Sequence, residues 1–217
     1  MKIQSLQIGQ VKNYTHFKSG FIKDIYLNSA KVEISGIVDD GIADLKHHGG
    51  KDKAIFANSC QNYILWENFL NKKLNFGTMG ENLSIDNLHE SNVCIGDIHK
   101  IGDTILQVSE PRKPCVKISL VHDNKNFTRE IFKSGLSGWY YKVLQKGTIN
   151  LGDGIKILQK DSANLSVLEL NKLFYQPKEN LTIFNKLLAC KNINKNWIES
   201  IEKRLNQTYD DEYMRKL

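Results

Sequence analysis

The stretch IGDTILQVSEPRKPC (101–115) sets the fold class. Gly102 tolerates a positive φ and Asp103 bonds its own backbone, a pair that favours a tight turn. The apolar alternation that follows has the period of a β-strand. The same Gly-Asp pair recurs at 96–97 and 152–153, each beside another alternation. KVEISGIV (31–38) predicts a further strand, and Ile3, Leu6 and Ile8 open one at the start of the chain. Short strands and turns at this spacing predict a mainly β barrel or sandwich over residues 1–160, rather than alternating β and α units.

Helical spacing interrupts this pattern twice. SCQNYILWENFLN (59–71) places Tyr63, Trp66 and Leu70 on one face, with Asn58 or Ser59 as cap, and TREIFKSG (128–135) ends in a glycine stop. From residue 161 the character changes. Ser166 and Glu169 have capping-box spacing ahead of Leu170, Leu173 and Phe174. Phe184, Leu187 and Leu188, then Trp197, Ile198, Ile201 and Leu205, line two more stripes. The expectation is a small all-α unit of three helices over 161–217.

Charge separates the two parts. The 217-residue chain holds 30 Lys+Arg against 24 Asp+Glu, but from 161 onward nine basic residues meet eight acidic ones. The positive excess therefore belongs to the β-rich part, which would be the place for an anion. The excess is too small to argue for a nucleic acid duplex, and the near-neutral tail argues against reading its helices as a DNA-binding unit. No stretch approaches the roughly 20 apolar residues of a membrane helix, and the N-terminus has no signal-peptide core. Four widely spaced cysteines without a CxxC argue against a zinc ribbon or disulfide framework. The expected setting is cytoplasmic, with reduced thiols and no membrane.

Four stretches could carry chemistry. In PRKPC, two prolines restrict the backbone around Cys115, and Arg112, Lys113 and Lys117 would favour its thiolate. A thiolate is a soft ligand and a nucleophile, whereas a small buried hydrophobe is what most free cysteines are. In LKHHGGKDKAI (45–55), Gly49 and Gly50 allow close backbone approach to a phosphate, with Lys46, Lys51 and Lys53 as point charges. If 44–48 is extended, His48 shares a face with Lys46; a solvated hairpin is the alternative. In FGTMGENLSI (76–85), Asn82 offers donors and an acceptor to a heterocycle edge, while Glu81 reads as a turn carboxylate, with a proton donor as the alternative. In SGWYYKVL (137–144), aromatics could flank a flat ring, with core packing expected for Trp139. Cys60, Cys94 and Cys190 lack basic neighbours and read as core residues.

Taken in order, LKHHGGKDKA, GENL, PRKPC and SGWYYKVL followed by a Gly-Asp turn resemble the MOSC domain, named for the C-terminal region of molybdenum cofactor sulfurases. The tail resembles the three-helix domain that follows it in one subgroup. The resemblance implies a barrel-like β fold with packed helices, binding of a molybdenum–pterin cofactor, and reduction of N-hydroxylated compounds such as N-hydroxylated purine bases. It implies Cys115 as metal ligand, and Arg112, Lys53, Lys46, His48, Gly49, Gly50 and Asn82 as cofactor contacts. No flavin, haem or iron–sulfur motif is visible, so the expected electron donor is a separate flavoprotein. The competing reading is a sulfur carrier with a persulfide on Cys115.

Overall fold

Gly96, Gly102 and Gly152 take φ of 90°, 55° and 86°, and each turns the chain between strands. The computed structural model describes residues 1–43 and 49–216. Its strands are β1 (Lys2–Ile8), β2 (Lys12–Asn13), β3 (Lys18–Ser19), β4 (Ile25–Tyr26), β5 (Ser29–Glu33), β6 (Gly36–Ile37), β7 (Ile55–Ser59), β8 (Leu83–Asp86), β9 (Ile98–Ile101), β10 (Thr104–Pro111), β11 (Trp139–Gln145), β12 (Gly147–Asn150) and β13 (Ile155–Gln159). The helices are α1 (Cys60–Leu70), α2 (Val116–Val121), α3 (Phe127–Ser134), α4 (Val167–Tyr175), α5 (Phe184–Ala189) and α6 (Lys195–Leu205).

Eight strands form one sheet in the order β13-β9-β10-β11-β7-β8-β1-β4, antiparallel throughout except for the β7–β8 pair. The sheet curls until β13, at one end, meets the start of β1, next to the other: Lys2 bridges Gly154, and Ile155 N–H donates to the Met1 carbonyl at 3.2 Å. β12, β5 and β6 form a second, three-stranded sheet. The stretch 31–38 is a hairpin rather than the single strand its alternation predicts, because Gly36 takes φ 128° and folds β6 back on β5. Its alternation survives in the buried Val32 and Ile37.

The two helical stretches form where their patterns place them. Ser59 caps α1 by accepting from Gln61 N–H, and Gly135, at φ 70°, stops α3. Trp66 of α1 packs edge-on against Phe127 of α3 at 5.5 Å, in a small cluster separate from the barrel core. In the tail, Ser166 and Glu169 make the reciprocal capping box of α4. Leu187 of α5 is buried but Leu188 is 57% exposed, so the second stripe is narrower than its sequence implies. Leu170, Leu173 and Phe174 of α4 and Trp197 and Ile201 of α6 join the same apolar cluster as the barrel's Ile101, Leu106 and Trp139. At about 1.5–3 kcal/mol per fully buried side chain, this shared cluster binds tail to barrel strongly.

No helix among the described residues is long and apolar enough to cross a membrane.

Candidate functional site: a cationic cleft with one thiol

Three paired strands build the wall of the site. Phe56 of β7 sits opposite Tyr140 of β11, and Tyr140 sits opposite Glu110 of β10. The Phe56 and Tyr140 rings lie 5.0 Å apart and line an open cleft of about 670 Å³. Burial holds the Tyr140 phenol at about 12, so it keeps its proton at neutral pH. The strand β10 ends at Pro111, and Cys115 stands at the N-terminal boundary of α2 in extended conformation, φ −122° and ψ 166°. Between them the chain delivers Arg112 and Cys115 to the cleft.

Cys115 is the one cysteine among the described residues that lines the cleft, and it is half-buried. The other three carry thiols pushed up by burial, Cys60 to about 12 and Cys94 to about 11. Their expected core role agrees with this.

Arg112 is 6% exposed, and its guanidinium lies 4.7 Å from the Phe21 ring centre and 5.0 Å from that of Phe56. Its Nη1 donates to the Met79 carbonyl at 2.6 Å, while its buried Nε has no partner. No carboxylate pairs with it among the described residues. A second, much smaller hollow also touches Arg112, lined by Asn58, Met79 and Ser137 among others. A buried guanidinium held by aromatic faces and lacking an anionic partner is costly unless a ligand supplies one.

Lys18, Lys23, Lys53 and Lys117 also line the cleft, where Asp40 is the one carboxylate among the described residues. Lys23 Nζ donates to both Asp40 oxygens at 2.6 and 2.8 Å, and Gly9 N–H and Asn82 Nδ2 complete that carboxylate at 2.9 Å each. Burial lowers the Lys23 pKa, and Asp40 offsets part of the shift. Asn82 is thus a supporting residue: its Oδ1 accepts from Phe56 N–H at 3.1 Å, and its amide holds Asp40. Glu81, beside it, is wholly buried and accepts through Oε1 from Tyr63 Oη at 2.5 Å, Ser84 Oγ at 2.7 Å and Gly77 N–H at 2.9 Å. That is an internal turn carboxylate, as its sequence context implies.

Lys53, in the 3-10 turn Lys51–Lys53, reaches Glu110 Oε1 at 3.3 Å. Gly50 opens that turn at φ 97°, but neither Gly49 nor Gly50 is among the described residues lining the cleft. Lys46 and His48 lie outside the described residues. Lys113 is a correction: the sequence groups it with the cations around Cys115, but its side chain turns away from the cleft. Its Nζ sits 4.4 Å from the Trp197 ring centre and 4.7 Å from that of Phe174, and burial lowers its pKa to about 8. Sequence reasoning missed Lys23, Asp40 and Lys18. Lys23 and Asp40 are far apart in the chain and carry no motif; the only local signal is the DDG turn (39–41) that holds Asp40.

A sulfur-rich metal bound to a phosphate-bearing organic chelate needs a soft thiolate beside fixed positive charge, and this donor set fits it. No group of three or more His, Cys, Asp or Glu among the described residues could hold a metal unaided.

Comparison with known proteins agrees with the geometry. Residues 44–156 match the model of the MOSC domain family. The chain is 31% identical to the protein YflK of Bacillus subtilis over 93% of each chain. It is similar to the crystal structure of YiiM from Geobacillus stearothermophilus, with 28% identity, a TM-score of 0.78, and coverage of 94% of this chain and 98% of that one. It is also 36% identical over 143 residues to a reductase of Gibberella moniliformis, covering 64% of this chain and 25% of that longer protein.

Proposed function

The chain belongs to the MOSC domain family and is YiiM-like, and from that premise we propose that it is a molybdenum-dependent reductase of small N-hydroxylated compounds. The observation that carries the reading is the meeting of one half-buried thiol, Cys115, with a buried, anion-free Arg112 in a single cleft. The reductase of Gibberella moniliformis supports the reaction class.

In this reading Cys115 ligates the metal of a molybdenum–pterin cofactor. Arg112, whose guanidinium lines the cleft without a carboxylate partner, takes the cofactor's phosphate, and Lys53 adds charge from the turn beside it. Lys46, His48, Gly49 and Gly50 are assigned to the same cofactor by their motif alone. When bound, the molybdenum supplies two-electron chemistry that removes an oxygen atom from nitrogen. The chain's own work is to bind, orient and protonate. Asn82 keeps Asp40 on Lys23, which stops that carboxylate from opposing the incoming anion. Tyr140 presents a protonated phenol, and Phe21 and Phe56 exclude water from the Arg112 face. Electrons come from a separate flavoprotein-type donor, and the substrate class includes N-hydroxylated purine bases.

Elemental analysis tests this. Wild type and Cys115→Ser are purified from a host that makes the cofactor. The expected result is about one molybdenum per chain in wild type and less than about a tenth of that in the variant. Full retention by Cys115→Ser overturns the ligand assignment. A metal-free wild type carrying labile sulfane sulfur on Cys115 favours the sulfur-carrier reading instead.

A further inference from the structure

The segment that delivers Arg112 and Cys115 is held at its ends, where Glu110 pairs with Tyr140 of β11 and the Cys115 carbonyl accepts from Ile118 N–H at 3.1 Å and Thr128 Oγ1 at 3.0 Å, but only weakly between them. Pro111 and Pro114 have no N–H to give, and the Arg112 N–H makes only a long bond of 3.3 Å to the Gly138 carbonyl. Arg112 fixes its near face through the Met79 carbonyl, and side chains on its far face reach the tail. Trp197 Nε1 of α6 donates to Glu110 Oε2 at 2.8 Å, while the other oxygen of Glu110 faces Lys53 Nζ at 3.3 Å. Lys113 Nζ lies over three rings, Trp197 at 4.4 Å, Phe174 at 4.7 Å and Tyr209 at 5.8 Å, and donates to Ser200 Oγ at 3.3 Å. Arg204 stacks on Phe174 and Tyr209 at 4.2 and 4.4 Å, bracing the same rings.

We propose that the C-terminal helices are a clamp that positions Cys115: Trp197 holds Glu110 in front of the thiol-bearing segment, and the Phe174–Trp197–Tyr209 cage holds Lys113 within it. Trp197 and Lys113 are positioning residues, since neither lines the cleft. The physical reason is that the two-proline segment is stiff but makes few backbone bonds between its ends. Stiffness limits its shapes, whereas anchoring at 110 and 113 selects where residue 115 ends up. Lys53 couples to the same anchor through Glu110, so one helix sets two sides of the site. This inference rests on the function proposed above only for what the positioned thiol is used for.

The test uses the full-length, metal-free protein and reads the alkylation rate of Cys115 by iodoacetamide, peptide by peptide, with Cys60 as internal reference. Hydrogen exchange over residues 110–121 is followed in parallel. The clamp predicts that Lys113→Met and Trp197→Phe each change the Cys115-to-Cys60 rate ratio by about fivefold or more and speed exchange in that segment. Lys113→Arg, which keeps the cation over the rings, should stay within about twofold of wild type. A ratio unchanged within about twofold in both disruptive variants overturns the proposal. So does a parallel rise at Cys60 and Cys115, because that is general loosening. Should Trp197→Phe fail to fold, Lys113→Met, which removes the caged charge and its bond to Ser200, decides alone. Failure of the cofactor reading shows separately, as molybdenum retained by Cys115→Ser.

Discussion

Cys115 and Glu81 show how two reactive side chains come to do different things, one lining the cleft and the other sealed behind it. Glu81 has no exposed atom to offer a ligand, and all three of its donors converge on one oxygen, leaving the other without a partner. Burial raises its pKa in the folded protein above the ordinary 4.5. A raised carboxyl favours folding most in acid, below its unfolded value, and that contribution is lost as pH rises through the folded one. Glu81→Gln keeps an oxygen acceptor and removes the titration. Its urea midpoint relative to wild type is therefore expected to improve between pH 5 and pH 8; a constant difference would contradict the assignment. Among the cleft residues, those in PRKPC and GENL were legible because proline, glycine and cysteine have chemistry of their own. Lys23 and Asp40 were not, since an ordinary lysine and aspartate become a buried pair only when Gly41 N–H docks on the Gly9 carbonyl at 2.7 Å.

Elements were legible where local signals agreed with burial. The capping box at 166–169 is one such case, with Ser166 Oγ accepting from Glu169 N–H at 3.1 Å and Glu169 returning to Ser166 N–H at 2.9 Å. Ser166→Ala should cost about 1 kcal/mol, measured as a shift in the denaturant midpoint, while Ser166→Asp should cost less. Because α4 carries Phe174, fraying at that cap should also speed hydrogen exchange at Lys113 and its neighbours. The hairpin at 31–38 was misread because alternation reports which residues are buried, not where the chain reverses. Gly36 reverses it by placing its α-carbon against the Ala54 carbonyl, where a Cβ would come within 2.3 Å.

Across the whole molecule, one apolar cluster runs from barrel to tail and a smaller one holds α1 and α3, and a buried histidine packs on each. His99 bonds the Tyr141 hydroxyl in the barrel, and His122 Nε2 meets the Thr78 carbonyl at 2.8 Å beside the cleft. Burial lowers both to about 4 from an ordinary 6.5. Their folded-state pKa values lie below the unfolded ones, so stability present above pH 6.5 is lost as pH falls toward 4. Each contributes a slope of up to about 1.4 kcal/mol per pH unit in that window. His122→Gln, which can still donate to Thr78, should flatten the wild-type slope by about that amount in urea titrations; an unchanged slope would mean that His122 titrates normally.

The sequence by itself determined the β-rich class, the helices at 59–71 and after Thr128, the helical tail, and Cys115 as the thiol to watch. All of these rest on local periods, turn residues and prolines, whose preferences act over a few neighbours. Only the tertiary structure decided which cations face Cys115. Lys113, two residues away, is drawn into an aromatic cage, while Lys23, remote in sequence, lines the cleft with it. Charge placement in a folded chain follows from which long-range contacts bury it, and those contacts leave no mark in the spacing of the residues they join.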